Sequence, residues 1–153
     1  MSIGTRNTWR AGAVALAAAV ALAGCGMLHD RDDEHRTRGH QEVTLGGASE
    51  VPAVTTPASG SGWVMIHPDH SVTAKITVSG MTPTASHIHM AAAGANGPVI
   101  VPFTKEGDNT FVAPPGAKLS DEQYEALKAG KLYVNVHSAR NPGGEIRAQL
   151  KGW

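Results

Sequence analysis

The stretch SVTAKITVS, residues 71–79, alternates between apolar and polar side chains. The apolar positions fall on one face of an extended chain and are Val72, Ala74, Ile76 and Val78. Thr73, Lys75 and Thr77 fall on the opposite face. Because successive side chains of a strand point to opposite sides, this pattern predicts a β-strand with one buried and one solvated face.

The chain on both sides of this strand repeats the pattern in short runs. These runs occupy residues 42–46, 61–67, 85–90, 98–103, 109–113, 131–137 and 144–150. Turn residues separate the runs, as in Ser79-Gly80, Asn96-Gly97-Pro98 and Asn141-Pro142-Gly143-Gly144. Many short strands at this spacing predict an all-β fold, a β-sandwich or β-barrel.

Residues 121–129 depart from the strand pattern and predict one short crossover helix. Ser120, followed three positions later by Gln123, forms a capping-box sequence at the start of this segment. Tyr124 and Leu127 then recur at helical spacing. The acidic residues of this segment are therefore interpreted as part of a helix start rather than as catalytic groups.

The first 24 residues have the layout of an export signal. Arg6 and Arg10 precede an uncharged apolar run over residues 11–23, which is too short to span a membrane. The run ends in Leu22-Ala23-Gly24-Cys25, which resembles the bacterial lipoprotein signal box, in which the cysteine is lipidated and becomes the new N-terminus. We therefore expect residues 1–24 to be a lipoprotein signal peptide and Cys25 to be the site of lipidation.

Lipidation at Cys25 predicts an exported protein whose first partner is a membrane. Several acyl chains would hold the mature chain to a bilayer without spanning it. Gly26 follows the cysteine, where an aspartate would, by resemblance to known lipoprotein sorting, retain the protein at the inner membrane. The expected location is therefore the outer membrane, facing the periplasm or the cell surface.

Residues 25–41 predict the lipidated N-terminus and a disordered charged tether, and residues 42–153 a single domain. The tether is dense in charges of both signs and poor in bulky apolar groups. Its three histidines either hold a metal ion loosely or belong to a solvated linker; they are His29, His35 and His40.

Composition argues against thiol chemistry and against nucleic-acid binding in the domain. Cys25 is the only cysteine, so lipidation leaves the domain without a disulfide or a thiolate ligand. The chain has 13 basic and 13 acidic residues, and loss of the signal peptide removes Arg6 and Arg10. No basic field remains that would attract nucleic acid. A metal site would have to use histidine, methionine or carboxylate ligands.

Three histidines share the faces of two predicted strands that point away from the core. His87 and His89 flank Ile88, the natural core residue of its strand. His137 ends the segment KLYVNVH, residues 131–137, on the face opposite its apolar positions. If the two strands are neighbours, the three imidazoles can converge on one ion, and imidazole suits copper or zinc. The alternative is that these histidines only form hydrogen bonds or face solvent.

Other polar and sulfur-containing residues have structural interpretations. Met90 is predicted to point into the core, and Met65 and Met81 are soft ligands or packing residues. His67 and His70 flank Pro68-Asp69, which predicts solvent-facing residues of a turn. Glu145 and Arg147 lie on one strand face and predict an exposed ion pair of little energetic value.

Three longer motifs resemble the chordin-type (CHRD) domain family, of which the chain would be a bacterial lipoprotein member. They are SEVPAVTTPASGSGWVMIHPD (49–69), ASHIHMAAAGANGPVIVPF (85–103) and LYVNVHSARNPGGEIRAQL (132–150). The resemblance covers about Glu42 to Lys151. It implies an immunoglobulin-like, superoxide dismutase-like Greek-key β-sandwich or barrel through a limited similarity to copper-zinc superoxide dismutases, and it implies no general enzymatic activity.

The similarity to the dismutases bears on the three histidines. HIH at 87–89 is similar to their His-x-His copper pair, and LYVNVH ending at His137 is similar to a strand that ends in another copper ligand. No histidine lies between His89 and His137 to bridge copper and zinc, and one cysteine cannot form their disulfide. The resemblance therefore implies at most a three-histidine, copper-like site and no dismutase activity.

Two functions from different classes follow. The first is a non-enzymatic, lipid-anchored binding module of the cell envelope, in which His87, His89 and His137 hold copper, or less readily zinc, and which meets a protein or other envelope partner. The second is an adhesion or structural module in which the histidines play no metal role. Redox catalysis at an open copper position is a third hypothesis, for which the sequence supplies no acid, base or substrate pocket.

Overall fold

The computed structural model describes Met1 and residues 39–153. This region contains nine strands. They are β1 (His40–Gly46), β2 (Ser59–Ile66), β3 (Val72–Ser79), β4 (Pro83–Met90), β5 (Val99–Pro102), β6 (Thr104–Lys105), β7 (Thr110–Val112), β8 (Leu132–Ser138) and β9 (Ile146–Gln149). A short 3-10 helix, Gly47–Ser49, follows β1, and one α-helix, α1 (Asp121–Lys128), precedes β8.

All strand pairs are antiparallel and belong to one sheet. The strand order is β5-β4-β8-β9-β1-β2-β3-β7-β6. The two outermost strands, β5 and β6, are consecutive in the chain and separated only by Phe103, whose amide donates to the carbonyl of Ser86 on β4. One continuous segment therefore belongs to both ends of the sheet and nearly closes it into a barrel.

The prediction of an all-β barrel or sandwich with one short helix is confirmed. The capping box of α1 is present: the Ser120 side chain accepts from the Gln123 amide, and the Gln123 side chain accepts from the Ser120 amide. β1 begins at His40, earlier than the predicted start at 42, so His40 and Gln41 belong to the sheet rather than to the tether. β6 was not predicted, because two residues are too few to show an alternation.

Apolar side chains from the inward face of the strands fill the barrel. On β3 the alternation predicted from SVTAKITVS is confirmed, with every second side chain buried. The largest fully buried apolar residues are Leu45, Val64, Ile76, Ile88, Phe111, Leu127, Leu132, Val134, Val136, Ile146 and Leu150. Burial of this set drives the fold, because apolar area removed from water contributes about 25 cal/mol per Å².

β8 differs from the other strands because all seven of its residues are buried. Its inward face is apolar, and its outward face carries Tyr133, Asn135 and His137, which are 2%, 1% and 8% exposed. Turns and loops cover this outer face: the chain segment 91–97 accepts hydrogen bonds from Arg147 and Gln149 on β9. The region between β4, β8 and β9 is thus a buried polar layer, distinct from the apolar core.

No helix within residues 39–153 combines the length and the apolar character needed to cross a bilayer. The predicted signal peptide, Cys25 and the tether histidines His29 and His35 lie outside the described residues.

Candidate metal centre

The three predicted histidines meet on the outward side of the β4–β8 pair. The two strands are antiparallel neighbours, and their register places Ala85 opposite His137 and His87 opposite Asn135. One ring nitrogen from each of His87, His89 and His137 lies within 4.8 Å of the other two. The conditional prediction that these imidazoles converge if their strands are neighbours is therefore met.

A β-bulge lies beside the His-x-His pair. On β5, Pro102 pairs with His87 and Val101 with Ile88, but Val99 pairs with His89, so the register shifts by one residue between Ile88 and His89. Bulges bend a strand and re-aim its side chains, and they are common next to functional sites.

His89 is fixed so that one nitrogen faces the cluster. Its Nδ1 lies 2.9 Å from the carbonyl oxygen of Gly97, so this nitrogen carries the proton and donates. Its Nε2 is buried and has no hydrogen-bond partner among the described residues. The residue is only 7% exposed, so water does not readily satisfy this nitrogen. A lone pair held in this way is available to a cation.

A hydrogen bond from Nδ1 to a backbone carbonyl also orients His137. Its Nδ1 lies 3.0 Å from the carbonyl oxygen of Pro142 and donates to it, which leaves Nε2 as the acceptor nitrogen. That Nε2 lies 3.0 Å from His87 Nδ1, which therefore donates to it. Because Nδ1 of His89 is bonded to Gly97, we assign the ligand nitrogens of the cluster as His87 Nδ1, His89 Nε2 and His137 Nε2. These three nitrogens would hold a metal ion.

The surroundings of His87 and His137 favour the neutral imidazole, the form that binds metal ions. Burial, together with the neighbouring rings of His137 and His89, lowers the pKa of His87 to about 4. Burial also lowers the pKa of His137, against the opposing effect of its hydrogen bond to Pro142. His87 thus remains unprotonated in mildly acidic as well as neutral solution, and the surroundings of His137 favour its neutral form.

The ring of Tyr133 packs against the imidazole of His89, and the guanidinium of Arg147 packs against the ring of Tyr133. The Tyr133 ring is parallel to the imidazole of His89, with ring centroids 4.8 Å apart and an interplanar angle of 5°. The Arg147 guanidinium carbon lies 3.4 Å from the centroid of the Tyr133 ring in a cation–π contact. Arg147 is 1% exposed and donates to the carbonyls of Ala95 and Ala92.

The prediction of an exposed ion pair between Glu145 and Arg147 is wrong. Both residues are buried, and each has other partners: Glu145 accepts from Ser138 and Thr56, whereas Arg147 donates into the 91–97 segment. The alternation correctly placed both on the outward face of their strand, but it could not show that loops cover that face. The role of Tyr133 behind His89 was missed for the same reason.

The other candidate ligands lie elsewhere. Met81 and Met90 pack against the apolar core, and Met65 is on β2, which β9 and β1 separate from β8. His67 and His70 flank a turn, as predicted, but both are partly buried rather than fully solvent-facing, and the His70 ring stacks on Tyr124 with centroids 4.1 Å apart. None of these five residues contributes to the cluster.

A nearly closed antiparallel barrel with a cluster of two buried imidazoles and one half-buried imidazole on the outer side of its sheet defines an all-β module with a candidate metal centre. Its donor set of three nitrogens suits copper or zinc. The chain belongs to the CHRD domain family, whose sequence profile matches residues 41–150. No curated protein and no solved structure matches the chain.

Proposed function

We propose that this CHRD domain binds a copper ion through His87 Nδ1, His89 Nε2 and His137 Nε2, as a non-enzymatic metal-binding module of the cell envelope. The observation that carries the proposal is the buried Nε2 of His89, which has no partner among the described residues and belongs to a ring clustered with two other imidazoles.

The energetic argument starts from that nitrogen. A buried acceptor left without a partner costs about 1–3 kcal/mol of folding free energy. Packing alone does not require this cost, because an apolar ring at position 89 could stack on Tyr133 equally well. Coordination of a metal ion would satisfy Nε2 and use the lone pairs of the other two rings at the same time.

The support around the rings favours binding over catalysis. The contacts of these rings are the carbonyls of Gly97 and Pro142 and the ring of Tyr133. Carbonyls and stacked rings hold ligands in place; they do not transfer protons to a substrate. A bound copper ion would supply one-electron redox chemistry, and we propose that the domain uses its site to store, deliver or sequester the ion.

The proposed location rests on the sequence. Arg6, the apolar run 11–23 and the box ending at Cys25 support export, lipidation and anchoring at the outer membrane. The tether would then present the domain to the periplasm or the cell surface, where it could meet an envelope partner.

A titration of the purified full chain with copper and with zinc tests the proposal. We expect one equivalent of copper to bind tightly to the wild type and this equivalent to be lost in His89→Ala, measured by isothermal calorimetry. His67→Ala is the matched control, because His67 lies in a turn and contacts Thr73 rather than the cluster. Equal metal uptake by all three proteins would contradict the proposal and favour the adhesion or structural module.

A further inference from the structure

The 91–97 segment carries the carbonyl that orients His89, but it has few side chains that could anchor it. Its sequence is AAAGANG, and most of its residues are exposed. Alanine and glycine bury little apolar area, so packing contributes little to holding this segment in one conformation. The position of the Gly97 carbonyl beside His89 Nδ1 therefore depends mainly on polar contacts of the segment.

Arg147 on β9 makes three of the hydrogen bonds that tie the 91–97 segment to the barrel. Its Nη1 donates to the carbonyl of Ala95 at 2.9 Å and to Asn96 Oδ1 at 3.4 Å. Its Nη2 donates to the carbonyl of Ala92 at 3.4 Å. One planar guanidinium thus bridges several residues of the segment. Because Arg147 is 1% exposed, moving the segment away would leave a buried cation short of acceptors, which is costly.

The same guanidinium also contacts the ring that packs on His89. The Arg147 guanidinium carbon lies 3.4 Å from the centroid of the Tyr133 ring, and that ring stacks on the imidazole of His89. The Tyr133 hydroxyl accepts from the Gly97 amide at 3.3 Å, so the ring and the segment are also tied to each other. Arg147 therefore contacts both of the structures that fix His89: the segment that carries the Gly97 carbonyl and the ring on which the imidazole stacks.

We infer that Arg147 is a positioning residue of the candidate metal centre, which makes His89 present Nε2 to an ion by holding the Gly97 carbonyl at Nδ1. The inference rests on the proposed function for its effect on metal binding, whereas the orientation of His89 is a property of the metal-free protein. A neutral imidazole carries its proton on either nitrogen, and the hydrogen bond at one of them decides which. If the 91–97 segment were loosened, Nε2 would carry the proton in part of the molecules and could not bind an ion there.

The tautomer of His89 in the metal-free full chain tests the inference. Long-range proton–nitrogen NMR correlations distinguish a proton on Nδ1 from one on Nε2. We expect the proton on Nδ1 in the wild type and a mixture of both tautomers in Arg147→Met. Lys151→Met is the matched control, because it removes an exposed cation, and it should keep the wild-type tautomer. A folded Arg147→Met protein with the wild-type tautomer would overturn the inference and leave the proposed function intact.

Metal affinity is the second measurement on the same variants. Loss of an outer partner of a histidine ligand typically lowers metal affinity by about 10–100-fold. We therefore expect Arg147→Met to bind copper about tenfold or more weakly than Lys151→Met, in competition with a chromophoric chelator. Equal affinities of the two variants would overturn the inference. A wild type that binds no copper but keeps its proton on Nδ1 would overturn the proposed function alone.

If Arg147→Met does not fold, a measurement on the wild type decides. Coupling between two sites is reciprocal, so if Arg147 favours binding at His89, an ion bound there must also hold Arg147 more firmly. We expect one equivalent of Cu(I), added under anaerobic conditions as a closed-shell ion that keeps NMR signals sharp, to slow hydrogen exchange of the Arg147 guanidinium. An unchanged exchange rate with the ion bound would overturn the inference.

Discussion

At the scale of single residues, Glu145 shows how the buried polar layer holds a charge. The Ser138 hydroxyl donates to one carboxylate oxygen of Glu145, and the Thr56 hydroxyl donates to the other at 2.5 Å. Burial on its own raises the pKa of Glu145, but these hydrogen bonds and the charge of Arg140 outweigh it, so the pKa lies below its ordinary value. Glu145 therefore stabilises the fold in its ionised form.

The Ser138→Ala variant should lose stability in a pH-dependent way. A lowered carboxyl pKa contributes stability that is present above the ordinary value of 4.5 and is lost as the pH falls through the folded-state value. We expect the variant to be less stable by about 1–3 kcal/mol at pH 7, and the difference to shrink below the folded-state pKa. Urea unfolding at pH 7 and pH 3 measures both values. Ser79→Ala is the control, because Ser79 is exposed. An equal loss of unfolding free energy in Ser138→Ala at both pH values would contradict the prediction.

The sequence predicted which histidines converge but not which nitrogens they present. The alternation of HIH and of LYVNVH placed all three rings on outward faces. The choice of nitrogen depends on the carbonyls of Gly97 and Pro142, which belong to turns. Turn carbonyls follow no alternation, so the orientation of each ring became known only from the structure.

At the scale of elements, the β2–β3 pair depends on a close approach of two strands. Gly62 pairs with Ile76, and a Cβ atom built on Gly62 would lie 1.9 Å from the carbonyl oxygen of Lys75. The clash is with backbone, which cannot move away without breaking the strand pair. This glycine is therefore required by its position within the strand rather than by a turn.

Gly62→Ala should accordingly destabilise the domain by about 3 kcal/mol or more, because the two strands must separate. Gly46→Ala is the matched strand control, since a Cβ atom at Gly46 meets nothing within 4 Å. Alanine there should be neutral or slightly stabilising. Chemical denaturation of both variants measures the contrast, and similar stabilities would show that β2 can shift freely.

Element types were more predictable than element arrangement. β3 and the capped helix α1 follow from local patterns, because alternation and a capping box depend on neighbouring residues only. The pairing of β4 with β8 joins residues far apart in the chain, and no local pattern encodes it. The sequence therefore predicted a barrel or sandwich, but it could not predict that β4 pairs with β8. The convergence of the three histidines could be predicted only on the condition that these strands are neighbours.

At the scale of the whole molecule, the cluster of three histidines depends on the intact barrel. β4 and β8 come from distant parts of the chain, and the segment Val99–Lys105 pairs with β4 at one end of the sheet and with β7 at the other. An unfolded chain would not hold the three nitrogens together. Binding at the centre should therefore stabilise the folded molecule as a whole.

Copper should raise the unfolding temperature of the full chain. An ion at a hundred times its dissociation constant stabilises the folded state by about 2.7 kcal/mol, which corresponds to roughly 10 °C for a domain of this size. Differential scanning calorimetry of the wild type with and without copper measures the shift. His89→Ala should show little shift, and a shift of equal size in that variant would place the binding outside the centre.

The complete burial of β8 bears on how this sequence can change. On β3 every second position faces water and can accept almost any polar residue, so half of that strand is open to substitution. On β8 hydrocarbon packing constrains one side and the polar layer constrains the other. LYVNVHS is therefore expected to be the stretch of the strands least tolerant of mutation, with each side of the strand rejecting a different chemical class of replacement.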